Sequence, residues 1–405
     1  MYSQKGTSTM VCGGYQRYRI LSWPIINAIK RIMYSPSCAN NTELQLSMIH
    51  TDPSTATDLV NLLNNHPRFT KFCFEGNKAM TKECAIIQKI VADATHVTAL
   101  ELAFCKIPMR IGCALASRLM LPKCAITSLV LRNTELGSIT AGRLANYLKA
   151  TTTLTSFSFI SDTKKGVRTF RILQLGLEAN SSIERLEVRH VFITNGQMLR
   201  LMTALFQKPQ LVDLVMRRND IDQANDTSAT YRFKFPQFNP SLQRFRFSNT
   251  IARDCSVSLE QNLRTNKTLT HVNLSGCNLG TEGVELILAA FYNNSTIKEI
   301  DVSLNNASPG AIALYCLLNT APALKKLHSF ISTDTVTYQT TAALMFMDAT
   351  HNHSNITLLG EHPCKLPGCA VWVNRNISNK RNQKHDLFRV MIVRVKEHNL
   401  FFKND

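Results

Sequence analysis

A spacing of apolar residues, LxxLxL, recurs along the chain at nearly constant intervals and constrains the fold more than any other feature. Two clear copies are Leu269, Val272, Leu274 and Ile297, Ile300, Val302. Ten copies follow one another at steps of 27 to 31 residues. They begin at Phe69, Val97, Ile126, Leu154, Ile183, Leu211, Leu242, Leu269, Ile297 and Leu324. A fixed period of this length indicates a repeat protein, because each unit buries its apolar side only against its neighbours.

The two halves of each repeat predict different secondary structures. The LxxLxL half predicts a short strand, and the other half has apolar residues three and four positions apart, which predicts a helix. We therefore expect an α/β solenoid with parallel strands on its concave face and helices on its convex face. Weaker copies extend the predicted array to residues 41–360, which leaves 1–40 and 361–405 as basic caps.

The most readable repeat, Leu269–Gly283, resembles the pattern LxxLxLxxCxLxxxG of leucine-rich repeats, specifically the long ribonuclease-inhibitor-like subtype. The resemblance implies a protein-binding surface on the strand side. It also implies a ladder of Asn and Cys side chains, eight residues after each first apolar position, that bridge the backbones of adjacent turns. The predicted ladder residues are Asn77, Cys105, Asn219, Cys277 and Asn305.

Arginines concentrate at strand positions that lie between the apolar ones and point away from the core. These predicted partner-binding residues are Arg132, Arg185, Arg189, Arg217, Arg244 and Arg246. Because the guanidinium fork fits carboxylates and phosphates, we predict an acidic protein partner. Glu187 and Asp213 can neutralise part of the set, so an internally paired surface is the alternative.

The chain is strongly basic, with 46 Lys and Arg against 28 Asp and Glu, a formal net charge of +18. Residues 1–40 carry five bases and no acid, and residues 365–405 carry nine bases and three acids. Binding of nucleic acid or of an anionic membrane surface by these caps is therefore a second hypothesis. A regulator of GTPase-activating type and a pathogen effector that binds host proteins are further alternatives. We expect a monomer.

One repeat departs from the pattern. Residues 222–241 replace its helix with a polar stretch and an alternation of Tyr231, Phe233 and Phe235 that is followed by prolines. This pattern indicates an extended segment. Its aromatic side chains either fill the space of the missing helix or form an edge for a partner.

The sequence contains none of the GxxxxGK[ST], HExxH and GxSxG motifs, so we predict neither an enzyme nor a cofactor. A cluster of possible zinc ligands fits no strong zinc-binding pattern, and no metal is predicted. Its members are His351, His353, His362, Cys364 and Cys369. Asn-x-Ser/Thr triplets such as Asn180–Ser182 are attributed to chance.

The absence of a signal peptide and the single, scattered cysteines indicate a reducing compartment, and we predict a cytoplasmic protein. No stretch of eighteen apolar residues occurs, so no membrane span is predicted. The basic N-terminal helix leaves a mitochondrial location open, and the effector hypothesis leaves delivery into a host cell open.

Overall fold

The computed structural model of the 405-residue chain consists of two compact units, Met1–Phe192 and Ile193–Asp405, which we describe one at a time. The structure describes residues 2–3, 9–12, 19–21, 27, 29–31, 33–34, 40, 42–47, 49–51, 53–76, 84–191, 193–217, 221–222, 235–248, 256–305, 313, 316–317, 320–329, 357–359 and 372–373. Strands and helices alternate in both units, which confirms the predicted α/β repeat arrangement.

The main sheet of the first unit is parallel except at its first strand, which runs antiparallel to the second. Its strands are β1 (Tyr2–Ser3), β2 (Thr9–Cys12), β4 (Glu43–Ser47), β6 (Lys71–Glu75), β7 (Ala99–Ala103), β9 (Ser128–Arg132), β11 (Ser156–Ile160) and β12 (Arg185–Arg189). Two short parallel pairs accompany it, β3 (Arg19–Leu21) with β5 (Ile49–Thr51) and β8 (Lys106–Ile107) with β10 (Glu135–Leu136). Because β2 pairs with β4, the parallel sheet includes residues before position 41.

Each helix of the first unit follows a strand, and successive helices within the unit pack side by side. The helices are α1 (Pro53–Asn64), α2 (Cys84–Asp93), α3 (Met109–Leu119), α4 (Ser138–Ala150) and α5 (Lys164–Ala179). The packing between α4 and α5 is tight: a Cβ placed on Gly176 would lie 2.3 Å from the carbonyl oxygen of Ala145. Glycine at position 176 therefore lets the two helices touch.

The second unit has the same construction. Its main sheet contains β14 (Asp213–Arg217), β16 (Arg244–Ser248), β17 (His271–Asn273), β18 (Glu299–Asp301), β19 (Lys326–His328), β20 (Thr357–Leu359) and β21 (Trp372–Val373), of which only β21 is antiparallel to its neighbour. A short parallel pair joins β13 (Ile193–Thr194) to β15 (Ile221–Asp222). The helices are α6 (Asn195–Phe206), α7 (Ser256–Thr265) and α8 (Gly280–Ala289).

The LxxLxL residues form the core, as the period predicts. Paired strands are in register, so that Leu100 lies opposite Leu129 and Phe245 lies opposite Val272. Leu102 is 0% exposed and Leu274 is 1% exposed. Each strand therefore adds one buried layer to the core of its unit.

The irregular repeat contributes aromatic rings to this core. Phe235 and Phe238 are buried, and both rings contact Phe245. Phe238 also contacts Phe206 of α6 edge to face. Phe235 and Phe238 thus fill core space, whereas Tyr231 and Phe233 lie outside the described residues.

Ladder side chains bridge adjacent repeats where the structure describes them. The Cys105 thiol donates to the Phe74 carbonyl oxygen at 3.4 Å, and the Cys277 thiol donates to that of Phe247 at 2.6 Å. The Asn305 amide donates to the Leu274 carbonyl oxygen at 2.8 Å. These bonds satisfy buried backbone groups at the strand ends. Two further ladder predictions, Asn77 and Asn219, lie outside the described residues.

A second set of asparagines, which the sequence analysis did not recognise, lies three residues before the first apolar position of several repeats. The Asn180 side chain donates to the Leu148 carbonyl oxygen at 2.6 Å and accepts from the Ile183 amide at 2.8 Å. Asn294 accepts from the Ile297 amide at 2.9 Å. The triplet Asn180–Ser182, attributed to chance above, therefore belongs to a structural turn before the strand.

Among the described residues, no helix is both long and apolar enough to cross a membrane. The five His and Cys residues considered as zinc ligands lie outside the described residues, as does most of the predicted C-terminal cap.

Candidate partner-binding surface

The strand face of each unit consists of the side chains at strand positions between the buried apolar ones. In the first unit this face carries a network of paired charges. The Lys71 ammonium lies 3.2 Å from a Glu43 carboxylate oxygen and 3.4 Å from one of Glu101. Arg132 Nη2 lies 2.9 Å from the other oxygen of Glu101, whose side chain is only 8% exposed. Glu101 is thus a buried carboxylate held between two cations.

Cys73 lies within this network. Burial, and then the negative charges of Glu101 and Glu43, raises the pKa of its thiol. Burial alone would lower the pKa of Lys71, but the same two carboxylates outweigh burial and raise it. The cysteine is therefore a neutral thiol beside a charged lysine at neutral pH.

The ligand atoms of Glu43, Cys73 and Glu101 lie within 4.8 Å of one another, which is a spacing that could hold a metal ion. The Lys71 ammonium already supplies the positive charge that both carboxylates need. Because a metal would have to displace this lysine and deprotonate the thiol, we assign no metal to this cluster.

The last strand of the first unit carries two of the predicted arginines. Arg189 forms an ion pair with Glu187, and Glu187 also accepts a hydrogen bond from the Ser158 hydroxyl at 2.6 Å. Arg185 is exposed and forms no ion pair with any residue that the structure describes. Of the predicted residues in this unit, only Arg185 has no ion-pair partner among the described residues.

The strand face of the second unit begins with one paired arginine. Arg244 Nε lies 2.8 Å from a carboxylate oxygen of Asp213 on the neighbouring strand, and their side chains are 30% and 15% exposed. Beside this pair, burial lowers the pKa of His271, although the negative charge of Glu299 opposes the shift. At neutral pH, a neutral histidine on β17 thus lies opposite an arginine on β16 whose charge is neutralised by Asp213.

Two arginines on the strand face of the second unit have no carboxylate partner among the described residues. Arg217 and Arg246 are exposed, and within the described part of the chain neither forms an ion pair. Arg246 lies opposite Val215 on one side and Asn273 on the other, and Arg217 lies opposite Ser248. The residues of the second unit that lie directly opposite them are therefore uncharged. Next to them, Asn273 donates to Asp301 at 2.6 Å.

The structure places the six predicted arginines in two groups, one in each unit. In the second unit, Arg217, Arg244 and Arg246 lie on the adjacent strands β14 and β16. In the first unit, β11 separates Arg132 on β9 from Arg185 and Arg189 on β12. Only the second unit brings predicted arginines onto directly paired strands.

The sequence analysis anticipated that Glu187 and Asp213 could pair with arginines, but it missed the network around Glu101 and one large basic surface. In-register pairing alone places Glu43 opposite Lys71 and Cys73 opposite Glu101, so this network was accessible from the repeat alignment. The basic surface lies on α3, α4 and α5. The sequence analysis assigned most of the excess positive charge to the two ends of the chain and did not consider the charge of each helix. The sequence feature that could have revealed this surface is the composition of the three helices, which together contain eight basic residues and one acidic residue.

Residues 265–288 match the family model described as a leucine-rich repeat. This segment contains strand β17 and helix α8, which is the strand and helix order of the other repeats. The match covers this one repeat. A search of curated proteins found no match.

Among solved structures, the chain is similar to one in the crystal structure of the Rad7 and Elc1 complex in yeast. The TM-score is 0.38 and the identity 12%, over 84% of this chain and 92% of that chain. At these values the likeness does not bear on the function of this protein.

Proposed function

We propose that this protein is a non-enzymatic scaffold that binds an acidic protein partner through its strand face. Arg217 and Arg246 of the second unit make the main contacts with carboxylates of the partner. Arg185 of the first unit is a further exposed arginine that an acidic segment can reach. Arg132, Arg189 and Arg244 keep the role of holding neighbouring carboxylates.

The observation that carries this proposal is the lack of an ion pair at Arg217 and Arg246 among the described residues, with uncharged residues of the second unit opposite both. A free guanidinium on a sheet surface is solvated, so a bidentate carboxylate can replace its water. An arginine that already holds a carboxylate must first lose that partner. Free and paired arginines on the same kind of strand face therefore differ in their capacity to bind.

The repeat fold supports a binding role more than a catalytic one. The described residues are almost entirely strands, helices and the turns that connect them, and leucine-rich arrays offer a sheet surface of extended strands for recognition. Specificity then depends on which strand positions carry free charge.

The test is an affinity measurement with the full chain. A partner captured from cells that express the protein is identified, purified and titrated against the wild type and against R217S/R246S, at about 50 and 300 mM salt, which change the Debye length by more than twofold. We expect the variant to lose at least about tenfold in affinity and to show a weaker salt dependence than the wild type.

The control variant is R132S/R189S, which removes the same two positive charges from arginines that already have carboxylate partners. Its affinity should change less than about threefold, because neither guanidinium is free to contact the partner. Equal losses in the two variants would mean that net charge rather than the Arg217 and Arg246 contacts determines binding. An unchanged affinity for R217S/R246S would contradict the proposal.

A further inference from the structure

The helix layer of the first unit has a basic surface that the proposed function does not use. Six of its basic side chains are exposed and form no ion pair with any described residue. We call them the helix patch: Arg110, Arg118, Arg143, Lys149, Arg168 and Arg171. Lys165, which is also exposed, pairs with Glu135 at 3.1 Å and is not part of the patch.

The helix patch contains no opposing charge. The sequences of α3 and α4 contain no acidic residue. The single acidic residue of α5, Glu178, accepts a hydrogen bond from Gln174 of its own helix at 2.6 Å. In the second unit, by contrast, α6 to α8 carry two basic and three acidic residues.

Close helix packing brings these charges together. Gly176 of α5 meets the Ala145 backbone of α4, and Gly112 of α3 meets Thr140 of α4. Helices in such contact have axes about 8 to 10 Å apart. The Debye length at physiological salt is about 8 Å, so the fields of arginines on neighbouring helices add instead of being screened from one another.

Apolar side chains lie on the same exposed faces as the arginines. Ile139 is 58% exposed and precedes Arg143 by one helical turn. Leu175 is 60% exposed and follows Arg171 by one turn. Met109, the first residue of α3, is also exposed, at 56%. The surface therefore combines guanidinium groups with protruding aliphatic chains.

The combination of arginines with exposed aliphatic side chains favours a lipid bilayer over a nucleic acid as the anionic ligand. Sequence-tolerant binding of single-stranded nucleic acid uses exposed aromatic rings for stacking, but Tyr147 and Phe170 on these helices are each only 1% exposed. A bilayer surface uses arginines for lipid phosphates and aliphatic side chains for the acyl boundary. The adjacent helices also form a broad layer of side chains, which fits contact with the extended surface of a bilayer.

We propose that the helix patch docks the protein onto an anionic lipid bilayer. The arginines contact lipid phosphates and acidic headgroups, while Ile139 and Leu175 enter the interface between headgroups and acyl chains. This docking is independent of the acidic partner on the strand face.

The test is flotation of the full chain with phosphatidylcholine vesicles that contain about 30% phosphatidylserine, with pure phosphatidylcholine vesicles as reference. The variant R143Q/R168Q/R171Q should lower the partition coefficient about a hundredfold, since each basic residue near an anionic surface contributes about fivefold. The charge-matched control R200Q/K267Q/K298Q, with exposed residues of the second unit, should lower it less than about threefold. All six positions are exposed, so thermal melting should be unchanged in both variants.

A second pair of variants tests the lipid assignment itself. I139S/L175S should lower vesicle binding about tenfold, whereas V257S/L286S, which removes exposed apolar side chains from α7 and α8, should leave it unchanged. Vesicle binding that survives R143Q/R168Q/R171Q overturns the proposal. If I139S/L175S binds vesicles normally and a 20-nucleotide RNA binds with the same arginine dependence, the patch is a nucleic-acid site and the proposal is wrong.

Discussion

The two units differ in the layer that carries most of their unpaired arginines. In the first unit, Glu101 on the strand face holds Lys71 and Arg132, and the exposed arginines without an ion pair among the described residues lie on the helices, apart from Arg185. In the second unit, Arg217 and Arg246 on the strand face lack an ion pair among the described residues, and the helices have a balanced charge.

This difference shows how one repeat fold supports two kinds of surface. The buried LxxLxL positions are equivalent in both units, so the backbone offers the same outward strand positions throughout. What changes is the residue on the neighbouring strand. A carboxylate opposite or diagonal to a basic residue turns it into a structural pair, whereas Val215, Asn273 or Ser248 leaves an arginine free for a partner.

The first prediction concerns what the two units share. Replacement of Leu102 or Leu274 by Asp should unfold the affected unit, because each side chain is essentially unexposed. Burial of an unpaired carboxylate in the core costs more free energy than the roughly 5 to 15 kcal/mol by which a domain is stable. Circular dichroism during thermal melting measures this loss. The control L175D, on the exposed face of α5, should melt like the wild type. Normal melting of L102D or L274D would contradict the repeat register.

The second prediction separates paired from free strand-face charges. E101Q should lower the free energy of unfolding by about 2 kcal/mol, because it leaves Lys71 and Arg132 without their shared carboxylate while both cations keep some access to water. R246Q should change it by less than about 0.5 kcal/mol, since the guanidinium is exposed. Urea unfolding of both variants measures the two changes in the free energy of unfolding. Similar changes for E101Q and R246Q would contradict the distinction between paired and free charges on the two strand faces.

The third and smallest effect is the response to mild acid. Burial and then the charges of Arg68 and Lys30 lower the pKa of His66 in the first unit, and burial lowers the pKa of His271 in the second, where Glu299 opposes the shift. A lowered folded-state pKa means that the unfolded chain binds the proton first. Stability is therefore full above the unfolded pKa of about 6.5 and falls as the pH decreases below it.

We accordingly expect H66Q to reduce the loss of stability between pH 7.5 and 5.5 by about 1 kcal/mol at most. H271Q should reduce it by less, because Glu299 raises the pKa of His271 and offsets part of the lowering by burial and by Arg244, Arg246 and Lys298, whereas no carboxylate raises the pKa of His66. Urea unfolding at the two pH values tests the order of the two effects. A larger effect for H271Q would mean that the neighbouring charges do not act as described.

The fold was predictable because it depends on residues that recur with one period. Apolar residues such as Leu100, Leu129 and Phe157 are buried whatever lies around them, so their spacing alone indicates strands and a stacked core. The charge pairing was harder to predict, because it depends on the register between repeats and on side-chain reach. Arg132, for example, pairs with Glu101 diagonally rather than with a residue directly opposite.

Two features were missed for different physical reasons. The turn asparagines Asn180 and Asn294 were overlooked because their triplets look like random Asn-x-Ser/Thr sequences when they are not aligned to the repeats. The helix patch was overlooked because its residues are far apart in sequence. Arg110, Arg143 and Arg168 belong to a common surface only after α3, α4 and α5 are packed side by side.

The most direct test of the difference between the units is the reaction rate of each arginine with phenylglyoxal, resolved by mass spectrometry of the full chain. Arg217 and Arg246 on the strand face of the second unit, and Arg143 and Arg168 on the helices of the first, should react several times faster than Arg189 and Arg244, whose guanidinium groups are held by carboxylates. Equal rates for Arg244 and Arg246, neighbours on one strand, would contradict the account.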